Sequence, residues 1–196
     1  MSLVVACDVD IEARGNECRD VTSGKYEDEK ASCEHFDKLA IAAGWIVHKE
    51  VVGECRQPRL GVEHKSHYRI DRILEPTPAL WRGGWVRGFV GVEIKRSKEK
   101  LGPVIAQVMD YSRCAWLISG GRWVECEFNF IFPCEKVSGI TLSIMTSQKI
   151  GVALPRPDWG GDRQVSLALI FNGRLCHFRD KNEDMSQMGG NKAGSR

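Results

Sequence analysis

Phe89-Val90-Gly91-Val92-Glu93-Ile94-Lys95 is the stretch on which the reading of the fold turns. Its apolar and β-branched residues mark a strand. Strand side chains alternate between faces, so Glu93 and Lys95 project together while Ile94 projects the other way. Charges among such apolar neighbours are costly unless they are paired. Upstream, His67-Tyr68-Arg69-Ile70-Asp71-Arg72-Ile73-Leu74 reads as a second strand, and Pro76, Pro78, Gly83 and Gly84 supply turn material between the two. If these strands are neighbours, the carboxylates of Asp71 and Glu93 converge with the Lys95 ammonium. Two carboxylates in one place repel each other unless a cation lies between them. Oxygen ligands of that kind suit a hard ion, Mg²⁺ or Mn²⁺. Lys95 then stands beside the ion, placed to hold or deprotonate a water or to meet developing negative charge. The plainer readings are an edge acid at Asp71 and an exposed Glu93–Lys95 ion pair. Neither explains why both acids occur in register with the polar pair Gln107 and Tyr111 further along the chain.

Past Glu93 the chain carries a basic run, Lys95, Arg96, Lys98 and Lys100, and then a helix near residues 103–111, with Pro103 suited to its first turn. Gln107 and Tyr111 are four residues apart and share a helix face. Taken alone, they read as surface and core packing. Asp71…Glu93-Ile94-Lys95, with 21 residues between the acids, and then Gln107-Val108-Met109-Asp110-Tyr111 together resemble the PD-(D/E)xK nuclease superfamily. Within it they are similar to the RecB-like and lambda-exonuclease-like branch, which carries a QxxxY motif. The resemblance covers roughly residues 25–120, and Ile70 stands where a proline often precedes the first acid.

That resemblance implies an α/β fold: a central mixed β-sheet flanked by helices, with a restriction-endonuclease-like core in the order α-β-β-β-α-β. It implies Mg²⁺- or Mn²⁺-dependent hydrolysis of phosphodiester bonds in DNA, as an exonuclease or an end- or flap-processing enzyme. Asp71, Glu93 and the Ile94 carbonyl would hold metal. Lys95 would activate water, Gln107 would orient Lys95, and Tyr111 would touch the nucleic-acid backbone. Arg72, Arg96, Lys98 and Arg113 are the candidate phosphate contacts, with Arg113 offsetting Asp110. The family also draws an acid from its first helix. Here the helical spacing of Cys33, Phe36, Ala40 and Ala43 predicts a helix over 26–43, with Glu29 on the same face and Glu27 next best. The competing account of Glu29 is the ordinary preference of acids for a helix N-terminus.

Charge is spread in a way that suits a polyanionic partner. The net charge is only +2, but residues 1–34 carry nine acids and four bases, whereas residues 49–100 carry twelve bases and seven acids. A solvated surface explains the same counts equally well. None of the eight cysteines forms a CxxC pair, the apolar run Leu3–Cys7 is too short for a signal peptide, and no segment has the length of a membrane span. These features predict a cytoplasmic protein with reduced thiols and no membrane partner. The spacing of Cys126, Cys134 and Cys176 argues for neither an iron–sulfur cluster nor, with His64, His67 or His177, a zinc site.

The 196 residues read as one domain. An arm over 1–24 precedes a core over 25–135, a β-rich extension over 136–180 and a disordered tail over 181–196. Strands are expected at 45–52, 86–95, 115–118, 123–132, 141–145 and 165–171. Loops are expected at 53–66, 75–85 and 155–163, and Gly120-Gly121 marks a hairpin. Trp81 and Trp85 read as packing, or as platforms for unpaired bases. RNA cleavage of the cap-snatching type, with His35 as its helix histidine, is the alternative within enzymes. A catalytically silent nucleic-acid-binding module is the alternative outside them. Homo-oligomers are compatible with the same core.

Overall fold

The computed structural model describes residues 28–56, 67–83, 85, 87–96, 99–134, 137–157, 165–179 and 184–186. The predicted arm, Glu27, His64 and Lys98 lie outside them. Helix α1 (Glu29–Ala42) starts where the Asp28 side chain accepts a hydrogen bond from the Lys30 backbone, a side-chain cap. It ends at Gly44, whose φ of 90° only glycine adopts cheaply. Strand β1 (Trp45–Cys55) runs three residues past its expected end into the predicted loop. It pairs antiparallel with β2 (Tyr68–Pro76), which pairs antiparallel with β3 (Phe89–Ile94). The segment between β2 and β3 is not wholly irregular: Pro78 opens a short helix, α2 (Pro78–Arg82), at a position where its missing N–H costs nothing.

Helix α3 (Leu101–Tyr111) then crosses to β4 (Cys114–Ile118). A three-residue turn, with Gly120 and Gly121 at φ of 88° and 74°, leads to β5 (Arg122–Phe132). Strand β4 pairs with β1, and β5 pairs with β4 and, in parallel, with β3. These pairings close β1, β2, β3, β5 and β4 into a ring. The mixed sheet continues from β5 into β6 (Ile150–Pro157), parallel to it, and then antiparallel into β7 (Val165–Phe171), β8 (Arg174–Arg179) and β9 (Asp184–Ser186). The molecule is therefore α/β, with a mixed sheet between helices.

Two apolar clusters fill the two sides of the sheet. Phe36, Leu39 and Ala40 of α1 pack with Trp45, Leu74, Val90, Val92, Ile94, Phe130 and Phe132. Val104, Ile105, Val108 and Tyr111 of α3 pack with Val51, Ile70, Ile73, Trp116 and Ile131. Trp85 is buried in the α1 cluster against Trp45 and donates its indole N–H to the Gly88 carbonyl, so its role is packing; Trp81 is exposed.

Several expectations past residue 135 need correction. Thr141–Met145 is not a strand but lies inside helix α4 (Gly139–Ser147). The β-branched residues favour a strand, but Ser138 caps the helix by accepting from the Thr141 N–H, which tips the balance. Residues 155–157, expected in a loop, belong to β6 and pair with β7 despite Pro155 and Pro157. Strands β6 and β8 add to the expected strands, and Asn172-Gly173 before β8, at φ of 51° and 70°, is a plain hairpin signal. Asp184–Ser186, within the expected disordered tail, pairs with β8 as a short strand.

Candidate active site

The register of β2 on β3 sets Arg72 opposite Val92 and Ile73 opposite Gly91; the ladder ends there, and the same register continued by one step puts Asp71 beside Glu93, whose carboxyl feels the Asp71 charge. The two acids, 21 residues apart in sequence, are thus cross-strand neighbours. Glu93 is 2 % exposed, on the side of β3 that faces α3. Its Oε1 accepts from Lys95 Nζ at 2.8 Å and from Gln107 Nε2 at 2.7 Å. Its Oε2 lies 3.0 Å from the Tyr111 hydroxyl, which also receives a bond from Gln107 and stands 3.0 Å from the Arg69 carbonyl. Asp71 Oδ2 accepts the Ile94 N–H at 2.7 Å. Glu93, Lys95, Gln107 and Tyr111 therefore form one bonded network, and Asp71, held by the Ile94 N–H, acts on Glu93 and Lys95 through its charge.

The cost of that gathering is electrostatic. Burial first, and then the neighbouring Asp71 charge, push the Glu93 carboxyl up to about 7 against the pull of Lys95 and Tyr111. Asp71 is also raised, by burial foremost, with Glu50 and Glu29 adding to it; the Ile94 N–H and Lys95 offset part of the rise. Burial of Lys95 opposes its charge, but Glu93 and Asp71 outweigh that and hold the ammonium protonated. Tyr111 is driven well above its usual range by burial and by Glu93, so its hydroxyl stays a donor.

Both strands reverse their faces at the site. In β1, Trp45 belongs to the α1 cluster and Val51 to the α3 cluster, although their spacing along the strand is even. In β2, Ile70 and Ile73 both belong to the α3 cluster, although their spacing is odd. Regular alternation forbids both patterns. The reversal falls at Glu50, whose φ is 48°, and at Asp71, which the register sets opposite Glu50. Glu50 had no signal in the sequence, yet its charge is felt at Asp71 more than that of Glu29.

Arg72, the neighbour of Asp71, points away from the site. Its Nε lies 2.6 Å from Asp37 Oδ1 of α1 and its Nη2 3.3 Å from Asp37 Oδ2. Its Nη1 donates to the Asp71 carbonyl at 2.6 Å and reaches Glu50 Oε1 at 3.4 Å. With its donors spent and its side chain buried, Arg72 is not a phosphate contact but a clamp between α1 and the strand of Asp71. Its partner Asp37 is an acid next to Phe36 on the buried stripe of α1, and a buried acid of that kind is the signal that a base must reach it. Arg113 is likewise mostly buried and bonded to Asp110. Arg96 is exposed beyond β3. Tyr111 is buried, so it supports Glu93 rather than touching a backbone. Gln107 acts on Lys95 through the carboxylate oxygen they share. Glu29 is exposed at the start of α1 and contributes only through space, to Asp71 and Lys95.

Among the described residues no three Cys, His, Asp or Glu side chains converge as a metal cage. The donor set does fit an ion held by one or two carboxylates with water, as Mg²⁺ is commonly held: two neighbouring acids, both raised above their ordinary range, share a single ammonium. No family model, curated protein or solved structure matches the chain. Among the described residues no helix is long and apolar enough to cross a membrane.

Proposed function

We propose that this chain is a Mg²⁺- or Mn²⁺-dependent nuclease that hydrolyses phosphodiester bonds of DNA, built on a restriction-endonuclease-like core and acting at ends or flaps. One observation carries the reading: the Asp71–Glu93 pair on adjacent strands, with Lys95 on Glu93 and with Gln107 and Tyr111 holding the same carboxylate. A buried structural ion pair would need one acid and one base. Here both acids are pushed toward their neutral forms, Glu93 in part by the Asp71 charge, and the deficit of positive charge is one that a cation relieves.

Asp71, Glu93 and the Ile94 carbonyl would hold the ion, with Glu29 or Glu50 acting through water. When bound, the ion supplies Lewis-acid stabilisation of the phosphate and lowers the pKa of a water. The protein's own residues do the rest. Glu93 Oε1 fixes the Lys95 ammonium, which is preorganised to meet the negative charge that develops on the phosphate. Tyr111 and Gln107 donate to Glu93, keeping its carboxylate aimed despite its isolation from water. The exposed Arg96 stands beside the site where a strand would pass.

A second reading, a module that binds nucleic acid without cutting it, draws on the fact that both Glu93 oxygens already have protein donors. The test is cleavage of end-labelled single-stranded DNA, duplex DNA and RNA with Mg²⁺, Mn²⁺ or EDTA, with Lys95→Ala and Asp71→Asn alongside. Metal-dependent cleavage lost in both variants is the expected result. Binding without cleavage would favour the silent module. Cleavage of RNA alone would move the substrate class.

A further inference from the structure

We propose that Cys55 and Cys114 are an oxidisable pair, which a peroxide or glutathione disulfide converts to an intramolecular disulfide. The β1–β4 register sets the two cysteines directly opposite each other. Just past the ladder the Arg56 N–H bonds the Arg113 carbonyl, which puts Cys55–Cys114 at a non-hydrogen-bonded position. In such pairs the Cα atoms stand about 4.5 Å apart and the side chains are closest. That separation lies within the range a disulfide spans. The two thiols already interact, while the Cys114 Sγ lies 3.4 Å from the Asp110 carbonyl. Among the described residues no ladder sets any other cysteine opposite a cysteine.

The chemistry assigns an order. Cys55 is half-buried and Cys114 buried, so Cys55 meets the oxidant first. With peroxide, the Cys55 sulfur attacks one oxygen and becomes a sulfenic acid, and one water leaves. The Cys114 sulfur then attacks the Cys55 sulfur and gives up its proton, and a second water leaves. Two thiols and one peroxide yield one disulfide and two waters. With glutathione disulfide, Cys55 first forms a mixed disulfide, and Cys114 displaces glutathione from it.

The location gives the bond a consequence. The β1–β4 seam is three residue pairs long, Gly53 to Cys55 against Trp116 to Cys114, and it closes the ring of strands. Asp71, Glu93, Lys95, Gln107 and Tyr111 all lie between the two cysteines in sequence. A bond at Cys55–Cys114 would lock β1 to the strand that succeeds α3, the helix carrying Gln107 and Tyr111. Formation of the bond is independent of the nuclease reading; any effect on cleavage rests on it.

The experiment treats the folded full chain with millimolar glutathione disulfide or hydrogen peroxide, alkylates the remaining thiols and maps the peptides by mass spectrometry. Expected are a Cys55 peptide joined to the Cys114 peptide, the loss of two alkylatable thiols, and a Tm raised by roughly 10 °C for a closed loop of this size. Cys114→Ser should trap glutathione on Cys55, and Cys55→Ser should abolish the crosslink. A crosslink formed only in denaturant, or a Cys55–glutathione adduct that persists in the native chain, would overturn the pairing. A disulfide in a protein that cleaves nothing in either redox state would leave the pair standing and remove the nuclease reading.

Discussion

Glu93→Gln should make the protein more stable at pH 8 while removing its activity. The wild-type carboxyl is raised from 4.5 to about 7 by burial and by Asp71. A group whose folded pKa exceeds its unfolded value binds more protons in the native state. Its ionisation therefore costs stability progressively as pH rises from 4.5 to about 7. A shift of that size corresponds to about 3 kcal/mol above the window and nothing below it. Glutamine keeps the volume and cannot ionise; its one carbonyl oxygen still accepts from Gln107, while its NH2 must donate to the Tyr111 hydroxyl, whose own proton then goes to the Arg69 carbonyl. Part of the gain is lost because Lys95, 16 % exposed, then faces only Asp71. The net expectation is a variant more stable than wild type by about 1–3 kcal/mol at about pH 8 without divalent cations, or roughly 2–12 °C in Tm for a chain of this length. The difference should vanish by pH 4.5, the ordinary value of the carboxyl. Urea unfolding in EDTA at several pH values, tracked through the buried Trp45, Trp85 and Trp116, measures it. Adding Mg²⁺ should stabilise wild type and not the variant, because only a native state that binds the ion gains from it. A variant less stable than wild type at pH 8, or a difference that is flat with pH, would refute this electrostatic account of Glu93.

The same geometry fixes three further outcomes. Mn²⁺ binding, by calorimetry, should be nearly constant above about pH 8 and fall about tenfold per unit below about pH 7, since the ion must displace the Glu93 proton. Arg72→Ala leaves the buried Asp37 with only the exposed Lys49, 2.7 Å from its Oδ2, as a charged partner, and should cost up to about 3–5 kcal/mol in denaturant unfolding, with no change in the salt dependence of DNA binding. Gly91→Ala would drive a Cβ into Asn129 Oδ1 and place it 2.8 Å from Ile70 Cδ1, so the buried Asn129 and Ile70 side chains must shift beside Glu93; a loss of about 1–3 kcal/mol is expected, and an unchanged Tm would count against this packing.

The strands that carry the acids are legible in the sequence because their apolar composition and the turn residues around them speak locally. Their register is not. Nothing in Asp71 or Glu93 says that one faces the other; that depends on how β2 pairs with β3, and only the family pattern suggests it beforehand. The ring closure is equally non-local, since it needs β4 to reach the far end of β1. Helix α4 is hidden because Ile140, Thr141, Ile144 and Thr146 favour strands, and a single serine cap reverses the preference. The hairpin into β8, by contrast, is written locally in Asn172-Gly173.

Arg72 shows why candidate sites are harder to read than strands. Next to Asp71 in a basic region, it looks like a phosphate contact. Strict alternation would send it to the face opposite Asp71, which is where it goes, onto Asp37 of α1. Its third donor group then returns to the Asp71 carbonyl and to Glu50, at the point where β1 and β2 reverse their faces. A buried guanidinium thus holds the backbone of an acid that itself turns toward the site. Neighbouring residues on one strand divide the work between the two sides of the sheet: Asp71 meets Glu93 and Lys95, while Arg72 secures the strand against α1. The acids can be held close despite their repulsion because that clamp and the donors on Glu93 are supplied from opposite faces. These contacts hold the residues together without an ion, so on the proposed reading a cation would relieve charge rather than assemble the residues.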